Sequence, residues 1–378
     1  MNAPRNLAVL FAGGGTGGHI FPCIAIHEQL ASLSPPGTLH ARYLCSTRTL
    51  DAEILRGASL PFTPIPAQPF ALRPRGLIRF VSSWTSAVSA ARTAIRELRA
   101  SAGANSRLVM VATGGFVSAP AARAGVLEGV PVVLVNLDAV PGRANRWISK
   151  RAARTLTSAR VHAGPGTTWT LVPPIVRAAA LAPGSTGDCR TRLGLDENTP
   201  TLLVTGASQG ARSINQLLIH HARHHTDALR PWQVLHQTGG EKESDAVRDA
   251  YRDAGIRAIV QPFVSEMGLW WGAAELAVGR CGAGIVAEAW ANSVPAIFLP
   301  YPYHRDQHQR ANAQPLEAAG AAHIAGDLIE PAANAAGVGA TLLSLLESAP
   351  RRQAMRKAYA SLGPADGAAR VAQVVLSL

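Results

Sequence analysis

The sequence is poor in cysteine, and its four cysteines are scattered. They stand at Cys23, Cys45, Cys189 and Cys281, and no two of them form a Cys-x-x-Cys pair. Structural zinc sites and the disulfide frameworks of small secreted domains both need closely spaced, paired cysteines. The sequence therefore predicts neither a disulfide framework nor a zinc site, and we expect no metal and no cofactor.

Long hydrophobic runs are also missing. No apolar stretch reaches the ~20 residues that a membrane-spanning helix needs, although 47% of the 378 residues are hydrophobic. The first residues, MNAPRNLAVLFAGGG, lead straight into a strand and a glycine turn, which is unlike a secretory signal. We therefore expect a cytoplasmic enzyme, either free in the cytoplasm or resting on a membrane surface.

Acidic residues are fewer than basic ones. The 24 Asp and Glu stand against 36 Lys and Arg, which gives a formal net charge of +12. This charge favours phosphorylated substrates, an acidic membrane surface or nucleic acid; an arginine bias from GC-rich coding DNA is the alternative. No zinc-finger, helix-turn-helix or RNA-binding sheet motif is present, so we expect no nucleic-acid partner.

Glycine marks a unit that occurs four times. An apolar run ends in a glycine-rich turn that opens into a helix-like stretch in Leu7–Leu30, Leu108–Gly125, Thr201–Ile219 and Glu275–Pro300. Backbone N–H groups at such a helix N-terminus bind phosphate oxygens, helped by the helix dipole. Because two copies fall in each half of the chain, we expect two nucleotide-type domains that face each other across a cleft.

Apolar strand candidates alternate with helical patterns along the chain. They are predicted at 7–12, 41–45, 108–112, 131–135, 154–158, 201–205, 233–236, 257–260, 275–278 and 295–299. This alternation predicts an α/β fold of two Rossmann-like, doubly wound parallel-sheet domains. The loop-like stretch 164–183 is the expected linker between the domains, so the predicted domains are 1–172 and 173–357. A final helix at about 358–378 is free to pack back on the first domain.

The first glycine turn is followed by a histidine. Gly13, Gly15 and Gly18 fit the pattern G-x-G-x-x-G, which dehydrogenases also carry, but no acidic residue ends the second strand, where an NAD ribose would need one. His19 is a candidate general base, because the ordinary pKa of histidine lies near neutrality. Hydrogen bonding to a phosphate or capping of the helix is the alternative role.

Three motifs in the second half suit a nucleotide sugar. The turn 205–210 offers the Ser208 hydroxyl beside backbone amides, and Arg280 precedes another turn, where its guanidinium could reach a diphosphate. Glu288 lies about one helical turn beyond that glycine turn and suits ribose hydroxyls; a helix-surface Glu is the alternative. The polar run 306–312 suits sugar hydroxyls, or is a loop with no function.

Two further features have both a structural and a functional interpretation. His220, His221, His224 and His225 form i,i+4 pairs on one predicted helix. We expect a solvated helix face there, because no carboxylate or cysteine completes a metal site. The segment 69–99 mixes large apolar residues with arginines, which suits a membrane-surface contact or a packed helix with a basic outer face.

Five stretches together resemble the MurG family of N-acetylglucosaminyltransferases: 13–24, 113–120, 206–216, 280–288 and 306–313. The similarity runs through most of the chain in the same order, and GGGTGGHIFP with GASQGARSINQ is a specific pair. The resemblance implies a two-domain GT-B fold. It also implies inverting transfer of GlcNAc from UDP-GlcNAc to the 4-hydroxyl of MurNAc in lipid I, giving lipid II on the cytoplasmic face of the membrane.

The resemblance also implies site residues, with His19 as the catalytic base. Contacts to UDP-GlcNAc are implied at Thr16, Gly17, Gly18, Asp138, Arg177, Ser208, Val264, Arg280, Ala283, Gly284, Ile285, Val286, Ala287, Glu288 and Gln309, with His308, Asn312, Asn145 and Asn136 as further candidates. The acceptor's diphosphate is implied at Gly14, Gly15, Thr113, Gly114, Gly115 and Phe116, beside Thr16–Gly18. The segment 69–99 matches the family's membrane-facing patch, which implies an anionic membrane surface as a partner.

The chain departs from the family pattern at 135–138. Where the family reads His-Glu-Gln-Asn, this chain reads Val-Asn-Leu-Asp, so Asn136 replaces a Glu and Asp138 replaces a substrate-contacting Asn. Phe116 also stands where Tyr is common. The change either preserves a carboxylate by exchange or marks a relative that uses UDP-GlcNAc with another acceptor. A nucleotide-sugar 2-epimerase and a non-enzymatic protein that binds anionic surfaces are the remaining alternatives.

Overall fold

The structure, a computed structural model, describes residues 6–70, 74–103, 105–207 and 210–378. Contacts within the chain define two compact units. Unit 1 comprises Met1–Arg177 with Asp366–Leu378, and unit 2 comprises Ala178–Ala365. Each unit is built on one parallel β-sheet. The α/β fold class that the alternation of strands and helices predicts is therefore confirmed.

Unit 1 contains seven parallel strands in the described ranges, in the order β3-β2-β1-β4-β5-β6-β7. Its elements up to the change of unit are β1 Leu7–Gly13, α1 Gly17–Leu33, β2 Leu39–Cys45, α2 Thr49–Gly57, β3 Phe62–Pro64, α3 Pro74–Ala102, β4 Arg107–Gly114, α4 Gly115–Leu127, β5 Val132–Asn136, α5 Arg143–Ser149, β6 Arg154–Thr157 and β7 Thr170–Leu171.

The core of unit 1 follows from the alternation of side chains along its central strand. β1, LAVLFAG, is buried throughout, as expected of a parallel strand covered on both faces. On one face, Phe11 stacks on Tyr43 of β2, with ring centroids 4.9 Å apart. On the other, Leu10 joins an apolar cluster that includes Ala91 of α3 and Ala121 of α4. Period-two alternation thus builds two apolar layers from one strand.

Unit 2 contains six parallel strands among the described residues, in the order β10-β9-β8-β11-β12-β13. Its elements are α6 Thr186–Arg192, β8 Thr201–Thr205, α7 Arg212–His224, α8 Thr226–Leu229, β9 Gln233–Gln237, α9 Glu241–Asp253, β10 Ala258–Gln261, α10 Met267–Ala273, β11 Leu276–Gly279, α11 Ala283–Asn292, β12 Ala296–Phe298, α12 His308–Ala318, β13 Ala322–Ile324, α13 Pro331–Ala336, α14 Val338–Glu347 and α15 Ala349–Ala358. The last helix, α16 Gly367–Leu376, belongs to unit 1 and packs on α1.

The strand order changes direction once in each sheet. In unit 1 the chain builds outward from β1 on one side and from β4 on the other, and in unit 2 from β8 and β11. In such sheets ligands bind outside the carboxyl ends of the two strands where the order reverses. The four glycine turns follow β1, β4, β8 and β11, so all four lie at these switch points.

Three short edge strands have no counterpart among the predicted strands. They are β3, β7 and β13, which have two or three residues each. Strands of this length carry too few residues for a periodic pattern. Among the described residues, no helix combines the length and the apolar character needed to cross a bilayer.

Candidate active site

A buried carboxylate holds the glycine turn after β1. Asp51, in the first turn of α2, is fully buried, and its Oδ2 accepts hydrogen bonds from the Gly15 N–H at 2.7 Å and from the Ser46 N–H and hydroxyl at 2.9 and 2.6 Å. Arg48 Nη1 donates to the Gly15 carbonyl at 2.6 Å. The sequence alone gives no sign of this role for Asp51, because an acidic residue in the first turn of a helix ordinarily serves only the helix dipole.

His19, at the start of α1, lies against the second glycine turn. Its Nδ1 is 3.1 Å from the Thr113 carbonyl oxygen, and the Thr113 hydroxyl donates to the His19 carbonyl at 2.7 Å. A carbonyl can only accept, so Nδ1 carries the proton of the neutral ring and Nε2 is the basic atom. A Cβ at Gly115, where φ is +76°, would lie 2.9 Å from His19 Cδ2. Glycine is therefore needed for this close approach.

The surroundings of His19 favour its neutral form. Burial lowers the pKa of His19 below its ordinary value, while the Asp138 carboxylate, the Thr113 carbonyl and Asp51 oppose this only in part. A neutral imidazole can accept a proton at neutral pH. The Asp138 carboxylate also stabilises the imidazolium that forms when the proton is taken up. The arrangement thus suits a general base with a carboxylate partner.

The two altered residues of the 135–138 segment have different surroundings. Asn136 is fully buried at the end of β5. Its amide donates to the Asp138 carbonyl at 2.7 Å and to the Thr157 hydroxyl at 2.9 Å, and its Oδ1 accepts from Asn145 at 2.9 Å. Asn136 and Asn145 therefore form a buried network that holds the loop after β5. Asp138 is half-buried and acts on His19 through its charge.

The other predicted residues of unit 1 lie around the same two turns, with one exception. Gly14 packs on Asp51 so closely that a Cβ would lie 2.6 Å from Oδ2. The second turn consists of Thr113, Gly114 and Gly115, and Phe116 follows it. The guanidinium carbon of Arg48 lies 5.3 Å from the centroid of the Phe116 ring. Thr16 precedes α1, and Gly17 and Gly18 begin it. The exception is Arg177, whose guanidinium lies 4.0 Å over the ring of Phe21.

In unit 2, the turn after β8 begins with an unusual backbone conformation. The Thr205 hydroxyl donates to Gln237 Oε1 at 2.7 Å and accepts from the Ala207 N–H at 3.1 Å. Ala207 has a φ of +61°, which is uncommon for a residue with a Cβ and is frequent at ligand-binding sites. Ser208, the predicted hydroxyl donor, and the neighbouring Gln209 lie outside the described residues.

Arg280, which directly follows β11, belongs to a buried network of hydrogen bonds. It is 8% exposed, and its Nη1 donates to Asp327 Oδ2 at 2.7 Å and to the Leu299 carbonyl at 3.0 Å, while Nη2 donates to the Ser213 hydroxyl at 2.9 Å. Burial alone would raise the pKa of Asp327, but hydrogen bonds from Ser213, Asn334, the Ile329 N–H and Arg280 together lower it. The ionised pair joins the loops after β11, β12 and β13. The sequence alone gives no sign of Asp327, since its partners Arg280 and Ser213 are remote along the chain.

The start of α11 presents backbone groups more than side chains. Within the described residues, a Cβ at Gly282 or Gly284 would meet no atom within 4 Å. The side chains of 285–287 are buried, so the contacts predicted for Ala283 and Ile285 would use their N–H groups. The N–H of Val286 already donates to the Gly282 carbonyl at 3.1 Å, and Ala287 lies further inside the helix, so neither offers a free N–H group to a ligand. Glu288 is half-buried, and its Oε2 accepts from the Trp271 indole at 2.8 Å, which fixes the carboxylate.

The predicted sugar-binding residues come together at the start of α12. Gln309 Oε1 accepts from the Tyr301 N–H at 2.9 Å, and His308 Nδ1 lies 2.8 Å from Asp306 Oδ1. Asn312, one turn later, is buried. The side chain of Val264, between β10 and α10, is also buried, so its predicted contact with the nucleotide would be through its backbone.

The histidines of α7 are not all on a solvated face. The rings of His220 and His224 lie 4.4 Å apart, and those of His221 and His225 lie 5.1 Å apart. His221 is fully buried and bonds the Leu217 carbonyl through Nδ1 at 3.0 Å, so the prediction of a solvated face is wrong for His221. In the described ranges, no three His, Cys, Asp or Glu side chains form a group that could hold a metal ion.

Comparisons with known proteins match both units. Residues 9–157 match the glycosyltransferase family 28 N-terminal domain, and residues 201–371 match the corresponding C-terminal domain. The chain is 35% identical over 371 residues to a protein of Clavibacter michiganensis subsp. michiganensis, covering 97% of this chain and 95% of that protein. It is 31% identical over 379 residues to one of Alkalilimnicola ehrlichii, covering 98% of each. Both are named UDP-N-acetylglucosamine--N-acetylmuramyl-(pentapeptide) pyrophosphoryl-undecaprenol N-acetylglucosamine transferase. The chain belongs to the MurG family.

Solved structures support the same assignment at the level of the fold. MurG of Acinetobacter baumannii aligns with a TM-score of 0.69 at 24% identity, covering 99% of this chain and 100% of that chain. A UDP-glucosyltransferase from Polygonum tinctorium aligns with a TM-score of 0.68 at 13% identity, covering 100% and 99%. The predicted family, the GT-B fold class and the hexosyltransferase class are thus confirmed for this MurG family member.

Proposed function

We propose that this protein transfers GlcNAc from UDP-GlcNAc to the 4-hydroxyl of MurNAc in lipid I and so makes lipid II. The relatives' names describe an N-acetylglucosamine transferase whose acceptor is an N-acetylmuramyl pyrophosphoryl-undecaprenol. The observation that carries the proposal is the placement of His19, whose Nδ1 is held by the Thr113 carbonyl between two glycine turns. Burial lowers the pKa of His19, and the Asp138 carboxylate acts in the opposite direction. This arrangement suits removal of a proton from a sugar hydroxyl beside a bound diphosphate.

Unit 1 holds the acceptor in this proposal. The N–H groups at the α1 N-terminus bind the acceptor's diphosphate, beside the turn whose Gly15 N–H donates to Asp51. His19 Nε2 takes the proton of the 4-hydroxyl as its oxygen bonds to the anomeric carbon of GlcNAc. The bond from that carbon to the UDP oxygen breaks on the opposite face, so the configuration inverts. The Asp138 carboxylate stabilises the positive charge that His19 acquires.

Unit 2 holds the donor in this proposal. The amides at the start of α11 and of the turn after β8 stabilise the negative charge that develops on the leaving diphosphate. Glu288, fixed by Trp271, binds the ribose hydroxyls, and Gln309 binds hydroxyls of GlcNAc. Arg280 acts chiefly by holding the loops around the diphosphate, because both of its terminal nitrogens donate to protein groups.

The test is transfer of radiolabelled GlcNAc from UDP-GlcNAc to a lipid I analogue, with UDP-GlcNAc binding measured by calorimetry on the same sample. We expect transfer that requires the MurNAc 4-hydroxyl, so an acceptor lacking this hydroxyl is the control. Binding of UDP-GlcNAc without transfer to lipid I would favour a relative that uses another acceptor, the candidate that the change at Asn136 and Asp138 supports. Absence of both would contradict the donor assignment as well.

As a second part of the proposal, the protein contacts the cytoplasmic face of an anionic membrane. The first half of α3 supports this contact. Leu77, Ile78 and Val81 are 41%, 67% and 62% exposed, and the exposed Arg75 and Arg79 flank them. The buried residues of α3 begin only at Ala87. Apolar side chains that project between arginines match the composition of a helix that inserts shallowly into an acidic bilayer surface.

Aromatic contacts fix this end of α3 on unit 1. The Phe70 and Phe80 rings meet edge to face at 5.3 Å, Phe80 lies 5.5 Å from Trp84, and Trp84 lies 5.8 Å from Trp147. Leu72 and Arg73 of the predicted patch lie outside the described residues. We expect Ile78→Asp to reduce sedimentation with phosphatidylglycerol vesicles, whereas Ile78→Leu retains it. Equal sedimentation of the two variants would contradict the membrane contact.

A further inference from the structure

Unit 2 has a cavity at the edge of its sheet that lies opposite to the glycine turns. Its volume is ≈ 430 Å³, and its lining includes Arg190, Arg352, Arg356, Glu197 and Glu275. Glu275 directly precedes β11, whereas the turn implicated in diphosphate binding directly follows that strand. The cavity is therefore separate from the proposed donor site, and its size is within the range of small-molecule pockets.

One carboxylate organises two of the arginines. Glu275 Oε1 accepts from Arg190 at 2.9 Å, and its Oε2 accepts from Arg352 at 3.3 Å. The side chains of Arg190 and Arg352 are only 4% and 9% exposed, and the guanidinium of Arg352 lies 4.6 Å over the ring of Trp232. These contacts fix both guanidinium groups in place before any ligand arrives, which lowers the entropy cost of binding.

Arg356 keeps the most unused donors of the three, because Arg190 donates through all three of its nitrogens and Arg352 through both terminal ones to protein groups. Arg352 Nε is buried without a hydrogen-bond partner among the described residues. Arg356 donates through Nη2 to the Ala274 carbonyl at 3.0 Å and forms no ion pair with any carboxylate that the structure describes. Burial lowers the pKa of Arg356, and repulsion from Arg190 adds to this while Glu275 opposes it. Arg356 is half-buried, and a partly desolvated cation without a paired anion is costly.

The balance of charge favours an anionic ligand. Three guanidinium groups line the cavity against the carboxylates of Glu275 and Glu197. The Glu275 carboxylate is already shared between Arg190 and Arg352. The Glu197 side chain is exposed to solvent, so neither carboxylate forms an ion pair that neutralises Arg356. The N-terminus of α15, whose first residue Ala349 also lines the cavity, adds positive potential. Planar guanidinium forks match the oxygens of a phosphoryl group.

We infer that this cavity binds a phosphate-bearing small anion through Arg356 and the fixed pair Arg190 and Arg352. The bound oxygens accept from Arg356, whereas Arg190 and Arg352, whose terminal nitrogens donate to protein groups, contribute positive charge. The site is additional to those for the donor and the acceptor, and it does not depend on the proposed transfer reaction. Its ligand is either a soluble phosphorylated compound or the headgroup of an anionic lipid, since both present the same oxygens.

Calorimetric titration with inorganic pyrophosphate tests the soluble source. The full chain is first saturated with UDP, so that pyrophosphate cannot report on the donor site. We expect a pyrophosphate site whose binding is at least tenfold weaker in Arg356→Ala, whereas any pyrophosphate bound at the acceptor-diphosphate turns of unit 1 is unaffected by this substitution. Arg351→Ala is the matched control, because Arg351 is an exposed arginine of the same helix that does not line the cavity. Arg356→Lys keeps the charge without the fork and should fall between the wild type and Arg356→Ala.

Flotation with phosphatidylglycerol vesicles tests the lipid source. Loss of vesicle binding in Arg356→Ala but not in Arg351→Ala, without pyrophosphate binding, would assign the cavity to a lipid headgroup. Selective loss of pyrophosphate binding would assign it to a soluble anion. The inference is overturned if Arg356→Ala and Arg351→Ala weaken binding equally in both assays, or if the UDP-saturated wild type binds neither pyrophosphate nor vesicles. Thermal unfolding of each variant shows whether Arg356→Ala is folded, and Arg356→Lys carries the test if it is not.

Discussion

Replacing Asp51 by alanine should destabilise unit 1 and slow transfer without weakening UDP binding. The substitution removes the acceptor of the Gly15 N–H and of the Ser46 N–H and hydroxyl, all of them buried. Each buried donor left unsatisfied costs about 1–3 kcal/mol. Because the Ser46 hydroxyl can rotate and water can enter the space left, we take the total loss as about 3 kcal/mol. For a domain of this size that lowers Tm by roughly 6–12 °C.

The assay combines scanning calorimetry with the kinetics of transfer. Glu53→Ala is the matched control, because Glu53 lies on the same helix, is exposed and should change stability by no more than about 0.5 kcal/mol. Asp51→Asn keeps an acceptor oxygen and should recover part of the loss. We expect Asp51→Ala to lower kcat/KM for the lipid acceptor while the Kd of UDP, which unit 2 binds, is unchanged. A Tm equal to that of Glu53→Ala, or an equal loss of UDP affinity, would refute the reasoning.

Three further substitutions test the roles of individual side chains. His19→Ala should lower kcat by about 10²–10⁴-fold, the usual contribution of a general base, with UDP affinity within twofold; near-normal turnover would mean that another group is the base. Asp138→Asn removes a carboxylate that raises the pKa of His19, so the acid limb of kcat/KM against pH should move to lower pH, because the base then stays neutral further into acid; a limb that stays in place would contradict this interaction. Glu288→Gln should weaken UDP-GlcNAc binding by about tenfold or more, the loss of a charged hydrogen bond, whereas binding of a 2′,3′-dideoxy UDP analogue should not change; equal losses would indicate a structural effect through Trp271.

The positions of the glycine turns could be predicted because they depend on local patterns. Apolar runs such as 7–12 and 201–205 alternate with helical segments, and this order alone implies parallel sheets with turns at one edge. The strand order of both sheets agrees with that expectation. The short edge strands could not be predicted, because Thr170–Leu171 is too short to show a period.

The side chains that fix the turns could not be predicted, because their partners are distant in sequence. Asp51 reaches Gly15 across 36 positions, and Asp327 reaches Ser213 across 114. Nothing in the residues around Asp51 distinguishes it from an acidic residue that merely favours a helix N-terminus. For Arg280 the sequence indicated an interaction with phosphate, whereas the structure adds an ion pair with Asp327. The residue type indicates which groups a side chain can bind, whereas the fold determines which of those groups lie within hydrogen-bond distance.

The surroundings of Asn136 and Asp138 are compatible with exchange of a carboxylate between the two positions. A glutamate at the position of Asn136 would place a charge in a fully buried network of Asn145 and Thr157, where ionisation is costly. Asparagine satisfies the same network with a neutral amide. The carboxylate at Asp138 stands instead at a half-buried position, where it costs less and still raises the pKa of His19. Exchange of the carboxylate therefore predicts transfer to lipid I, whereas use of another acceptor predicts UDP-GlcNAc binding without that transfer, so the transfer assay separates the two.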